Sequence, residues 1–114
     1  MRANAVDFAI QFQIGSAKIS PASESTLGSI AKILALAPDR CVLVEGHTDA
    51  TGSADQNMAL SRERAGSVVN YICNKAGVER KRLVPQGKGS SSPAAGLAPT
   101  DPRNRRVVFK VVED

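Results

Sequence analysis

The sequence predicts an α/β fold built as a two-layer sandwich, with two main helices on one face of a mixed sheet in the order β-α-β-α-β-β. Four short apolar or alternating segments are typical of strands, and two longer segments carry apolar residues at helical spacing. Each helix joins two strands, and right-handed crossovers place both helices on the same side of the sheet. A chain of 114 residues suits one core, so we expect residues 1–114 to form a single domain.

The first strand is expected at residues 6–13, where apolar side chains loosely alternate with polar ones. Ser20 and Pro21 predict the start of the first helix. A serine side chain accepts hydrogen bonds from the free amides at a helix start, and the first helical position does not use the N–H group that proline lacks. Pro38 is expected to end this helix. Its expected buried face comprises Leu27, Ile30, Ala31 and Leu34.

The second strand is expected to begin with the apolar run at residues 41–44, which is typical of a strand covered by helices, and to end at Gly46. The second helix should begin near Ala54, because Ser53 and Gln56 match a capping box, and Gly77 should end it. Its expected buried face comprises Ser61, Ala65, Val68, Val69, Ile72 and Ala76.

Two more strands complete the predicted sheet. Residues 82–85 suit a short strand, and Pro85 indicates a sheet edge or a strand end because it cannot donate a hydrogen bond. A loop rich in Gly, Ser, Pro and Ala follows at residues 87–102. Residues 106–112 are apolar enough to form a central strand.

Composition narrows the classes of function. The net charge is +4, with basic clusters at residues 80–82 and 103–106, which suits either an acidic partner or a solvated basic surface. One alternative is therefore a nucleic-acid-binding α/β module that uses the basic C-terminal patch. Aromatic residues make up only 4% of the chain, however, and this disfavours stacking on bases.

The chain is poor in catalytic and metal-binding patterns. His47 is the single histidine, which excludes a site of several histidines. Cys41 and Cys73 lack metal-site spacing, and both are expected at the end of the fold away from His47. A Gly-x-Ser-x-Gly elbow is not found in the sequence. We therefore expect no enzymatic activity, no metal and no cofactor.

A binding site is predicted across the connection between the second strand and the second helix. Asp49 follows the strand, while Asn57 and Arg64 lie seven residues apart along one line of the helix. Leu60 lies beside that line. A carboxylate and a guanidinium across a cleft suit a zwitterion, whose ammonium would bind Asp49 and whose carboxylate would bind Arg64. The alternative is that Asp49 caps its own loop and Arg64 bonds to Asp49 or to loop carbonyls, without a ligand.

A set of motifs extends over nearly the whole chain. The central ones are Gly46-His47-Thr48-Asp49 followed by Asn57, Leu60, Ser61, Arg64, Ala65 and Val68. Further ones are Phe12 with Ser16-Ala17, Gly77-Val78, Arg82-Leu83, Gly87, Gly89, Pro93 and Asn104-Arg105-Arg106-Val107. Together they resemble the OmpA-like peptidoglycan-binding domain, which also occurs in the peptidoglycan-associated lipoprotein and in the flagellar stator protein.

The resemblance implies non-covalent binding of peptidoglycan through the diaminopimelate of its stem peptide. Asp49 and Arg64 match the positions that grip the ammonium and the carboxylate of diaminopimelate. Thr48, Asn57 and Leu60 match positions that line the same cleft, and Arg105 matches a position near its rim. The sequence departs from the family at residues 13–15 (Gln-Ile-Gly), which puts affinity and stem-peptide preference in doubt.

The resemblance also implies a place in the cell. We expect the chain to be the C-terminal part of a longer exported protein in the periplasm, because residues 1–4 lead into alternating residues without an apolar signal core. The parent protein would attach to the outer membrane, or to the inner membrane if it is a stator, and a homodimer of the parent is left open. An oxidising periplasm permits a disulfide between Cys41 and Cys73, which also stays open.

Overall fold

The computed structural model describes residues 2–6, 10, 12–13, 15–37, 39–91 and 93–113. Its helices and strands are β1 (Arg2–Val6), α1 (Pro21–Ala35), β2 (Cys41–Gly46), α2 (Ala54–Ala76), β3 (Leu83–Gly87) and β4 (Val107–Glu113). Single 3-10 turns lie at Arg80–Arg82 and Pro102–Asn104. The predicted order of elements and the α/β class are confirmed.

The four strands form one mixed sheet in the order β1-β4-β2-β3. β3 pairs with β2 in parallel, whereas β4 is antiparallel to both of its neighbours, β1 and β2. The strand with Pro85 is therefore an edge strand, and the last strand is central, as predicted. Because β4 runs antiparallel to its neighbour β2, the start of β4 lies beside the end of β2, where Val107 pairs with Gly46.

The first strand differs from the prediction. The described strand runs Arg2–Val6, and Ile10, Phe12 and Gln13 lie outside any strand, while residues 7–9 and 11 fall outside the described part of the chain. Ile10 and Phe12 are nevertheless buried in the core. The apolar alternation therefore reported burial correctly, but burial does not require strand pairing.

The helix boundaries follow local capping chemistry. The Ser20 side chain accepts a hydrogen bond from the Ser23 amide, and the Ser53 side chain accepts one from Gln56. Gly77 ends α2 with a φ of 67°, a backbone conformation that glycine adopts without strain. The first helix ends at Ala35, short of the predicted stop at Pro38, which is outside the described residues.

The core lies between the sheet and the two helices. The predicted buried face of α1 is confirmed, and that of α2 is confirmed except for Ala76, which is exposed at the end of the helix. Gly46 lets α2 approach β2 closely, because a side chain there would overlap the main-chain carbonyl of Ser61 and lie 3.1 Å from the Ala65 amide nitrogen. Within the described residues, neither helix is long and apolar enough to cross a membrane.

Candidate functional site

A cleft of about 540 Å³ opens where β2 ends and α2 begins. Crossover geometry brings the carboxyl end of a strand and the start of the following helix to the same rim. The cleft is lined by all six residues that the sequence singles out, namely Thr48, Asp49, Asn57, Leu60, Arg64 and Arg105. It is completed by Gly15, Thr51, Gly52, Gln56, Ala59 and Glu63.

Asp49 is buried in the cleft wall, with 4% of its surface exposed. Its Oδ1 accepts hydrogen bonds from the Thr51 amide at 3.1 Å and from the Thr51 hydroxyl. Its Oδ2 accepts a hydrogen bond from Arg105 Nη1 at 3.1 Å. The carboxylate therefore shapes its own loop and pairs with a guanidinium at the same time.

The surroundings of Asp49 keep it ionised. Burial on its own would raise the pKa of the carboxyl, but the hydrogen bonds from Thr51 and the charge of Arg105 outweigh burial and hold the pKa below its usual value. A permanent negative charge at neutral pH suits Asp49 to a cationic ligand group.

Arg64 is fully buried, with 0% of its surface exposed. Its Nε donates to the Ser16 carbonyl at 2.9 Å, Nη1 to the His47 carbonyl at 3.0 Å, and Nη2 to the Gln13 carbonyl at 3.0 Å. The guanidinium also lies over the Phe12 ring, 5.1 Å from its centre. These bonds match the alternative interpretation of the sequence, in which Arg64 bonds to loop carbonyls.

Three of the five N–H groups of Arg64 thus donate to main-chain carbonyls of the described residues. Burial and, after it, the charge of Arg105 lower the pKa of Arg64 to about 10, against the opposing effect of Asp49. The guanidinium therefore stays charged at neutral pH. Residues 13–15, which depart from the family, contribute directly to this site. The Gln13 carbonyl accepts a hydrogen bond from Arg64, and Gly15 lines the cleft. Ile14 lies outside the described residues.

Arg105 pairs with Asp49, a contact that the alternative interpretation of the sequence offered to Arg64. Its Nε donates to the Phe12 carbonyl at 2.8 Å, and its side chain keeps 22% of its surface exposed. The pairing arises because β4 lies next to β2, which brings the residues before Val107 beside those after Gly46. The chain order alone does not reveal that adjacency, so the resemblance was the only sequence signal that pointed to Arg105.

Thr48 contributes a polar group without a partner. It is 3% exposed, and its amide donates to the Gly89 carbonyl at 2.9 Å, but its hydroxyl has no hydrogen-bond partner among the described residues. A buried unpaired hydroxyl is costly, so a polar ligand atom in the cleft would be favoured there. Asn57 is buried and Leu60 is half-buried on the helix side of the same cleft.

Asn104 is a further residue of the site, whose role the sequence reasoning did not specify. It is 1% exposed; its Oδ1 accepts from the Ala94 amide at 2.8 Å, and its Nδ2 donates to the Ala98 carbonyl at 2.9 Å. The Pro99 carbonyl in turn accepts from the Ala50 amide at 2.9 Å. A buried asparagine therefore fastens the long loop beside the residue that follows Asp49.

Neither cysteine lines the cleft. Both thiols are free in the structure, with Cys41 exposed and Cys73 partly buried. The described residues hold no group of three or more His, Cys, Asp or Glu side chains suited to a metal ion.

The fold and cleft define a class of protein, a two-layer α/β domain with a charged cleft at a strand-to-helix connection. The chain belongs to the OmpA family, whose sequence pattern matches residues 11–106.

Two curated relatives are similar in sequence. The probable lipoprotein YiaD of Escherichia coli is 38% identical over 100 residues, covering 86% of this chain and 45% of YiaD. The peptidoglycan-binding protein ArfA of Mycobacterium tuberculosis is 37% identical over 104 residues, covering 90% of this chain and 32% of ArfA. The chain therefore spans less than half of the length of either relative.

A solved structure shows the same fold. The peptidoglycan-associated lipoprotein from Burkholderia pseudomallei superposes with a TM-score of 0.81 at 24% identity, covering 98% of this chain and 91% of that structure. At this identity the likeness establishes the architecture and nothing finer.

Proposed function

We propose that this chain binds peptidoglycan non-covalently, through the diaminopimelate of the stem peptide, and so anchors a membrane protein to the cell wall. The observation that carries the proposal is the charge arrangement of one cleft. A buried carboxylate, Asp49, shares the cleft with the guanidinium groups of Arg64 and Arg105, and Thr48, whose hydroxyl lacks a hydrogen-bond partner among the described residues, lines the same cleft. The free end of diaminopimelate carries an ammonium and a carboxylate, which complement these groups.

The names of relatives support the same function. ArfA is named for peptidoglycan binding, and YiaD is named as a lipoprotein. We infer a single binding domain without catalytic activity, in the periplasm and joined to a membrane by another part of its parent protein. A nucleic-acid partner is not proposed, because aromatic residues, on which bases would stack, make up only 4% of the chain.

Co-sedimentation with purified sacculi tests the proposal. The wild-type chain should sediment with sacculi whose stem peptides contain diaminopimelate, and Asp49→Asn should weaken this at least about tenfold, the equivalent of one charge-assisted contact of ~1.5–3 kcal/mol. Asp39→Asn is a matched control, because Asp39 is exposed in the connection before β2, at the opposite end from the cleft.

Sacculi with lysine in place of diaminopimelate test the finer part of the proposal. They lack the second carboxylate and should bind more weakly than diaminopimelate sacculi. Equal binding of both types would contradict a role for diaminopimelate. Equal binding by wild type and Asp49→Asn would contradict the assignment of this cleft.

A further inference from the structure

The carboxylate of Asp49 is largely occupied by donors of this chain. Its Oδ1 accepts from the Thr51 amide and hydroxyl, and its Oδ2 accepts from Arg105, so among the described contacts one acceptor position remains, on Oδ2. An ammonium in that position would lie against the Arg105 guanidinium, and the repulsion between the two cations favours displacement of a donor. The Thr51 amide belongs to the same loop as the carboxylate and moves with it, so Arg105 is the donor that can be displaced.

Arg105 and Arg64 differ in their freedom to move. Arg64 is held by three main-chain carbonyls and is fully buried. Among the described residues, Arg105 is bonded to the main chain through its Nε, which donates to the Phe12 carbonyl, while its Nη1 reaches Asp49. Its side chain is also 22% exposed. A pivot of the whole planar guanidinium about its bond to Phe12 would separate Nη1 from Asp49.

We propose that Arg105 determines the specificity of the cleft by an exchange of ion pairs, which rests on the proposed binding function. The ammonium of the ligand takes the place of Arg105 Nη1 on Asp49 Oδ2. The released guanidinium then donates to the carboxylate of the same ligand. One internal ion pair is replaced by two pairs with the ligand, and no charge is left without a partner.

The exchange selects zwitterions. A ligand with only an ammonium would leave Arg105 unpaired beside a second cation, and unpaired charges in a partly buried site are costly. A ligand with only a carboxylate could reach the other N–H groups of Arg105, but its charge would lie beside the like charge of Asp49. The internal pair therefore penalises both kinds of single-charge ligand.

Titration with three related small molecules tests the exchange. The probes are meso-diaminopimelate, cadaverine (its counterpart without carboxylates) and pimelate (its counterpart without amino groups), each followed by NMR chemical shifts. Wild type should bind diaminopimelate at least about tenfold more tightly than either counterpart. In Arg105→Gln, diaminopimelate should bind more weakly and cadaverine as well or better, so that this ratio falls below about threefold. Arg105→Lys retains the charge and should recover part of the ratio.

Arg103→Gln is the matched control, because Arg103 is exposed and pairs with Asp101 away from Asp49. It should keep the wild-type ratio. Thermal unfolding checks that Arg105→Gln is folded. If the folded variant keeps the wild-type ratio of diaminopimelate to cadaverine affinity, or loses affinity for all three ligands equally, the exchange is overturned. If that happens while wild type still binds sacculi, the proposed function survives. If wild type binds neither sacculi nor diaminopimelate, the function and the exchange fail together.

Discussion

The Nη1 group of Arg64 donates to the His47 carbonyl at 3.0 Å, and this bond ties the middle of α2 to the residue that follows β2. The same guanidinium reaches Ser16 and Gln13, on the connection that precedes α1. One side chain therefore joins two loops that border the cleft. Arg64 supports the shape of the site as well as its charge.

Replacement of Arg64 should lower stability strongly. Arg64→Ala removes a fully buried side chain and leaves three main-chain carbonyls without their donor, that of the buried His47 among them, so the free energy of unfolding should fall by about 3 kcal/mol. Urea unfolding measures this. Arg62→Ala, at an exposed position of the same helix, should change it by less than about 0.5 kcal/mol. A similar loss in both variants would mean that the Arg64 bonds contribute little.

Thr48→Val should stabilise the fold while it weakens binding. Valine keeps the shape of threonine but removes the buried hydroxyl that lacks a partner among the described residues, so we expect a gain of up to ~1 kcal/mol in unfolding free energy. Binding to sacculi should weaken, because the hydroxyl would bind the ligand. Thermal unfolding and co-sedimentation on the same preparations test the two effects. A valine variant that is less stable, or that binds as well as wild type, would contradict this role.

The contribution of Asp49 to stability should depend on pH in one direction. The folded pKa lies below the usual value of 3.8, so the carboxylate stabilises the fold above that value, and this contribution is lost as the pH falls through the folded pKa. The difference in unfolding free energy between wild type and Asp49→Asn should therefore be constant well above pH 3.8 and shrink below it. Denaturant unfolding over a pH series measures the difference. A difference that grows on acidification would contradict the depressed pKa.

Two glycines in contrasting surroundings should respond in opposite ways to replacement by alanine. Gly46→Ala forces a methyl group against the Ser61 carbonyl and should cost ~1–3 kcal/mol or more, because α2 must move away from β2. Gly66 lies inside α2 with open space around its Cα, so Gly66→Ala should stabilise the protein by ~0.5–1 kcal/mol. Chemical denaturation of both variants tests the pair. Equal effects would mean that the close approach at Gly46 is unimportant.

The helices were the most predictable part of the fold. Their starts depend on Ser20 and Ser53, each of which caps amides within three residues, so local sequence carries the signal. The first strand was placed too late, because its apolar alternation includes Ile10 and Phe12, which are buried but lie outside any strand. The order of strands could not be deduced from spacing, since the insertion of β4 between β1 and β2 depends on contacts between distant segments.

The sequence by itself determined which side chains meet in the cleft, because Asp49, Asn57, Leu60 and Arg64 lie on one strand-to-helix connection of fixed geometry. Only the tertiary structure decided how their charges are distributed. The central position of β4 brings Arg105 to Asp49, and the loop before α1 surrounds Arg64 with three carbonyls. The residues that bond to Arg64 and Asp49 are more than fifteen positions away from them in the chain. Local sequence patterns carry no information over such separations, so tertiary packing selects these partners.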